Sequence, residues 1–254
     1  MRLSLFGLFE NWRFPVSDVR RVGPFMRTPF ADRGLHGSGL IENSRAAVEA
    51  AVGQGYGVKI DVQFSLDGMA HVFRDPTLDR MTAETGQMRH WPSRELSQVR
   101  LNGCGETIPK LDEMLRLVGG RTPVLVELKA VEGHVSQLCL AVRHAIEGYR
   151  GQAAVMSLHG EVPRWFASHG NRITRGLMLS EGGSETSKGV DRVRAVWRSR
   201  AEFLAIDVDD LPDRFAARQR RRGVPLLAWT VRSEGQRGVA ADCTDQVIFE
   251  APGW

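Results

Sequence analysis

Cysteine is scarce in this 254-residue chain: Cys104, Cys139 and Cys243 are scattered and odd in number. Neither a disulfide framework nor a zinc-binding spacing can be drawn from them, so the expected setting is a reducing one, the cytoplasm. Long apolar runs are missing as well. No stretch approaches the roughly 20 apolar residues needed to span a bilayer. The N-terminal MRLSLFGLFENWRFP lacks the long apolar stretch and small-residue cleavage site of a secretory signal. Internal repeats and low-complexity tracts are absent, which excludes solenoids and arrays. So is any basic motif interleaved with aromatics, and nucleic acid is therefore not an expected partner.

What is present is an ordinary globular composition, 42% hydrophobic and 25% charged, with enough chain to bury a core without covalent staples. The formal charge is +4, with a basic run at Arg218, Arg220, Arg221 and Arg222 that reads as a solvated helix end near its favourable dipole. Such a balance suits anionic partners such as phosphate esters or lipid headgroups. The apolar cluster Leu3, Leu5, Phe6, Leu8, Phe9 and Trp12 is expected to dock on the core, with weak peripheral membrane contact as the lesser use.

Short apolar runs alternate with longer helical patterns, the signature of repeated βα units. Strands are expected at 28–33, 57–62, 122–127, 152–156, 174–179, 203–206, 225–230 and 246–249. Helices are expected at about 43–54, 110–118, 132–147, 160–169, 186–198, 211–222 and 234–241. Eight strands suit an α/β fold of the TIM (β/α)8 barrel type. Only Glu250-Ala-Pro-Gly-Trp254 follows the last strand, so no final helix is expected. The segment 1–26 is expected to pack on the barrel formed by 27–254, partly filling that gap in the outer ring.

Asp67-Gly68 sits between two alternating runs and signals a β-hairpin excursion after strand two. A two-residue turn would set Leu66 against Met69 and Asp61 against Arg74; a slip of one or two residues would set Arg74 against Lys59 or its neighbour. Lys59 and Asp61 share a face. Lys59, Asp61 and Arg74 are therefore expected to meet near the barrel mouth. Residues 76–109 form a long connection with one short helix at 93–100, expected to shape that mouth.

The stretch from Phe30 to Arg80 contains ADRG, ENS, KID and RD in an ordered frame, followed by TLDR, IPKLDEML, VELK at 126–129, SLH at 157–159 and WTVRSEGQ at 229–236. This order resembles the glycerophosphodiester phosphodiesterase family, a barrel of the phospholipase-C-like phosphodiesterase type. In that family the frame reads His-Arg-Gly, Glu-Asn, Glu-x-Asp, His-Asp. The resemblance implies hydrolysis of glycerophosphodiesters to glycerol phosphate and an alcohol. Two histidines act as general acid and base, and carboxylates hold a divalent cation.

By the resemblance, Arg33, Lys129 and Trp229 are the phosphate-facing and pocket-lining groups, and Glu42, Asp61 and Glu127 are metal-ligand positions. Three essential positions differ. Asp32 and Arg74 stand where the catalytic histidines belong, and Lys59 replaces a fourth metal ligand. Asp32 can act as a base but poorly as an acid near neutrality, and arginine does not exchange protons on a catalytic timescale. An ammonium at position 59 repels a cation. The expectation is a pseudoenzyme with a metal-free site, in which acids Asp32, Glu42, Asp61 and Glu127 face bases Arg33, Lys59, Arg74 and Lys129. It would bind a phosphate ester, a lipid headgroup or a protein partner. The alternative is an active phosphodiesterase on glycerophosphodiesters or lysophospholipids, using Mg²⁺ or Ca²⁺ and a different acid–base set. His36, His71 and His159 are read as structural or exposed rather than as replacement catalysts.

Overall fold

Val, Leu and Ile crowd the strand segments because neighbours cover both of their faces. The computed structural model describes residues 19–170, 172–181 and 190–250. Its eight parallel strands are β1 (Phe30–Asp32), β2 (Gly57–Phe64), β4 (Val124–Leu128), β5 (Ala153–Ser157), β6 (Thr174–Leu179), β7 (Phe203–Asp207), β8 (Leu226–Val231) and β9 (Gln246–Phe249). They run in the order β1-β9-β8-β7-β6-β5-β4-β2, and pairing of β1 with β2 closes the barrel. The short β3 (Ala70–Val72) lies antiparallel on β2. Every strand overlaps its sequence-predicted position.

The described α-helices are α1 (Val19–Val22), α2 (Arg45–Gly53), α3 (Ser93–Leu96), α4 (Leu111–Val118), α5 (Val135–Glu147), α6 (Glu161–His169), α7 (Val190–Ser199), α8 (Arg214–Arg221) and α9 (Glu234–Cys243), with short 3-10 turns at Gly23–Met26, Met88–His90 and Val208–Asp210. None of them is long and apolar enough to cross a membrane. The short helix α3 stops at Leu96 rather than running to 100. The expected helix over 186–198 begins, within the described residues, at Val190.

Alternation divides each strand between two cores. Val58, Ile60 and Val62 of β2 and Val124, Val126 and Leu128 of β4 face outward to the helices. Phe30, Leu125, Ala154, Met156, Met178, Phe203, Ala205, Leu227 and Ile248 fill the interior. Gly57 and Gly176 pair with Phe30 and Phe203, whose rings stand 2.6 and 2.2 Å from where a glycine Cβ would be. Small beside large keeps the interior filled.

Residues 19–26 lie at the floor of this interior, not in the outer ring. Val22 and Phe25 are buried in the same cluster, and Phe25 stacks on Phe30 at 6.4 Å between centroids. Arg21 pairs with Glu202, just ahead of β7, at 3.2 Å. The cluster from Leu3 to Trp12 falls outside the described residues.

The hairpin corrects one expectation. Its turn has three residues, Leu66-Asp67-Gly68, not two. The Ser65 hydroxyl donates to Asp67 at 2.5 Å and accepts from the Met69 amide at 2.9 Å, while Gly68 takes a left-handed φ of +77°. The register slips by one, so Val62 pairs with Val72 and the Phe73 amide donates to the Asp61 carbonyl. The connection that follows builds its own small core from Phe73, Leu78, Met88, Leu96, Val99, Leu101 and Ile108.

Candidate functional site

Strand register brings the charged residues together. Asp32 is paired with Lys59 across β1 and β2, and Asp61 with Glu127 across β2 and β4. Alternation turns all four inward at the C-terminal end of the barrel. The Lys59 ammonium lies 2.9 Å from Asp32 Oδ1 and 2.6 Å from Asp61 Oδ1, and it also contacts Glu127 Oε2. An ammonium has three donors; this one is surrounded by three carboxylates and hydrogen-bonds to Asp61. Lys59 is 4% exposed and Asp61 0%. Lys129 reaches in from the end of β4, 3.1 Å from Asp61 Oδ1 and in contact with Glu127 Oε1.

Arg33 enters from a left-handed turn. Its φ is +58°, and its amide donates to the Lys59 carbonyl at 2.6 Å. Gly34 follows at φ +79°, where a Cβ would come within 2.5 Å of the Ala47 backbone in α2. This close approach aims the guanidinium back over the cluster. It lies 3.0 Å from Glu42, 3.3 Å from Asp61, 3.6 Å from Glu250 and 3.9 Å from Asp32. Asn43, also left-handed, locks the arrangement: its amide donates to Asp61 Oδ2 at 3.3 Å and its carbonyl oxygen accepts from the Asp61 amide at 3.2 Å.

Position 74 does not join the group. With the register slipped by one, buried Phe73 lies against Asp61 and Arg74 turns out to solvent, with no ion pair to any described residue. The outer cation is Arg80 instead, 2.6 Å from Glu42 and 2.5 Å from Asp75. Between Glu42, Phe73 and Arg74 a cavity of about 10 Å³ remains, room for roughly one water. Trp229 is half-buried and donates its indole N–H to the Ala205 carbonyl at 3.0 Å, while Thr230 donates to Asp32 at 3.2 Å.

Three contributors escaped the sequence reading. Glu250 holds Arg33, His36 and Arg232 together, at 3.6, 3.0 and 2.7 Å. Its signal was an acid directly after the last strand. Arg80 and Asn43 lay inside recognised motifs, but their reach toward Glu42 and Asp61 had no signal in the spacing. Of the other histidines, His71 is buried with Nε2 2.9 Å from the Ser93 hydroxyl, away from the cluster. His159 lines a groove beside Trp165 and His169.

The electrostatics follow from these contacts. Burial alone would discharge Lys59, but Asp32, Asp61 and Glu127 outweigh it and hold the ammonium charged well above the usual lysine range. Burial would likewise raise Asp61, yet Lys59, Lys129 and Arg33 keep it well below the usual carboxylate range. Arg33 is raised despite its own burial, through Asp32, Asp61, Glu42 and Glu250. Glu250 is lowered to about 2, chiefly by the hydrogen bond with His36.

Residues 33–248 match the Glycerophosphoryl diester phosphodiesterase family. The chain belongs to that family. A glycerophosphodiester phosphodiesterase of Bacillus altitudinis is 32% identical over 107 residues, which span 39% of this chain and 43% of that protein. Among solved structures, an Oleispira antarctica phosphodiesterase in complex with the product sn-glycerol-3-phosphate superposes with a TM-score of 0.78. It is 24% identical, over 89% of this chain and 93% of that one. The Thermotoga maritima glycerophosphodiester phosphodiesterase gives 0.73 at 19% identity, over 88% and 94%. These superpositions carry the barrel fold.

Members of the family use a divalent cation, and the residues present here do not fit one. Asp61 and Glu127 direct their oxygens at two ammonium groups, and Glu42 directs its own at two guanidinium groups. A hard dication needs several oxygen ligands at about 2.0–2.6 Å, and Lys59 stands between those on offer.

Proposed function

We propose that this family member is a pseudoenzyme whose metal-and-histidine site has become an internal ion-pair cluster, kept as a binding site for a phosphate ester or lipid headgroup. The observation that carries the reading is the Lys59 ammonium shared by Asp32, Asp61 and Glu127. It supplies a positive charge among the carboxylates without a metal. It also pairs with Asp32 at 2.9 Å, and Asp32 accepts a hydrogen bond from Thr230 as well. General acid–base catalysis contributes about 10²–10⁴-fold, and neither family histidine position retains a group suited to exchange a proton. For an anionic ligand, Arg74 is an exposed cation with no ion pair to a described residue, and Lys129 is a partly exposed one. Arg33 is already surrounded by carboxylates and contributes position rather than a free charge.

One observation favours a second reading, an active phosphodiesterase on glycerophosphodiesters or lysophospholipids. His36 is held by Glu250 at 3.0 Å beside Arg33, the kind of carboxylate-oriented imidazole that can shuttle a proton. Purified protein incubated with glycerophosphocholine or a lysophospholipid, with and without Mg²⁺, Ca²⁺ or Mn²⁺, separates the two. The pseudoenzyme gives no turnover above background in any arm. The triple variant Asp32→His, Lys59→Glu, Arg74→His then gains metal-dependent hydrolysis. Wild-type turnover lost in His36→Ala would establish the second reading instead.

A further inference from the structure

We propose that the tip of the β2–β3 hairpin is a membrane-contact element that seats the barrel mouth on an anionic phospholipid surface. Seven large hydrophobic side chains are exposed among the described residues, and four of them lie on loops at the C-terminal ends of the adjacent strands β2, β4 and β5. They are Leu66 at 64%, Met69 at 45%, Val131 at 44% and Leu158 at 42%; the other three, Leu140, Val193 and Trp197, sit on α5 and α7. A turn ordinarily carries polar residues outward. Here Leu66 is the first residue of the turn, Met69 follows it, and both side chains are exposed.

The tip is also held rigidly. Besides the Ser65 bonds, the Leu66 amide donates to the Trp91 carbonyl at 3.0 Å and the Ser93 amide donates to Asp67 at 2.9 Å. Contact therefore orders no loop, and little conformational entropy is lost. A rigid turn with two exposed apolar side chains suits insertion between headgroups. The same bonds tie to it the segment 88–94, which carries Arg89, exposed His90, half-buried Trp91 and exposed Arg94. Neither arginine has an ion pair to any described residue, and exposed Arg74 leaves the same hairpin. The tip's own acid, Asp67, is directed inward to Ser65 and Ser93. Exposed Glu95, Glu132 and Glu161 also lie on this side. The attraction is accordingly assigned to Arg74, Arg89 and Arg94 around the tip, with the apolar residues supplying insertion. This surface is at the opposite end of the barrel from residues 19–26, and it does not depend on whether the site turns over.

Flotation of the full-length protein with vesicles of phosphatidylcholine, alone or mixed with phosphatidylserine, tests the assignment. Binding is expected on the mixed vesicles, weakened by salt. The double variant Leu66→Asp, Met69→Asp should lower the partition coefficient by about tenfold or more, the scale set by burying one large aliphatic side chain. Leu140→Asp on α5 should leave it unchanged, and Arg89→Ala with Arg94→Ala should weaken binding to the anionic vesicles alone. Thermal melts confirm that each variant is folded. Absence of wild-type binding, or a folded double variant that still floats like wild type, overturns the proposal. The second result would transfer the contact to another surface, such as the N-terminal apolar cluster.

Discussion

Strands β1, β2 and β4 fill their arc of the upper barrel interior with Asp32, Lys59, Asp61 and Glu127, whereas β5–β8 fill the facing arc with Met156, Met178, Ala205 and Trp229. The two arcs share a fold and, apart from half-buried Trp229, are both buried, but they are stabilised differently. Removing apolar surface from water stabilises the second arc residue by residue, at about 25 cal/mol per Å². The first arc loses hydration on burial and is stable only as a complete set, because an ion left without its partner is far more costly than a pair. An enzyme of this fold would satisfy such carboxylates with a dication. On the proposed reading a lysine on the second strand takes that part, and the charged arc serves as a structural element.

The largest expected effect breaks the charged arc at its centre. Lys59→Met leaves Asp32, Asp61 and Glu127 buried without their shared cation and should destabilise by about 3–5 kcal/mol at neutral pH. Urea denaturation at pH 7 and at pH 4 checks it. Asp61, Glu42 and Glu250 have depressed folded pKa values. Their contribution is therefore present above the unfolded values of roughly 3.9–4.3 and is lost as pH falls. The deficit of the variant should shrink in acid. In the apolar arc, Met178→Ala should cost about 2–3 kcal/mol by leaving a cavity, and that deficit should be the same at both pH values.

A smaller acid effect belongs to neither arc. Burial lowers His71 to about 4, so the folded state favours the neutral ring. Its stabilising contribution is full above the unfolded value of about 6.5 and declines as pH falls toward 4. Melting temperatures of wild type and His71→Gln should converge over that window. The smallest effect is expected at the mouth. Arg74→Ala removes an exposed cation with no described ion partner and should change stability by less than about 0.5 kcal/mol. A loss comparable to that of Lys59→Met would place Arg74 inside the cluster after all.

The barrel was legible in the sequence because VLVEL, TRGLML and LLAWTV are short apolar runs at βα spacing, and strand alternation then fixes which side chains face inward. The grouping of Lys59 with Asp61 and Glu127 follows from the same rule. Side-chain chemistry in the hairpin turn was less legible. Asp-Gly suits both two- and three-residue turns, and the Ser65 hydroxyl, bonded to Asp67 and Met69, decides for the longer one. That single residue of slip removes Arg74 from the cluster. Arg80 and Glu250 come in through long side chains from a loop and from the end of the last strand, distances that no spacing encodes. The seat of Val22 and Phe25 in the barrel floor was hidden for another reason: an apolar cluster announces burial but not the surface it is buried against.

Titration calorimetry of Mg²⁺ and of Ca²⁺ into wild-type protein and Lys59→Glu addresses the proposed replacement of metal by lysine most directly. The expected result is no saturable binding by wild type at millimolar ion, and stoichiometric binding by Lys59→Glu that disappears when Asp61→Asn is added. Stoichiometric binding by wild type, abolished by Asp61→Asn, would contradict it and restore the dication to the centre of the site.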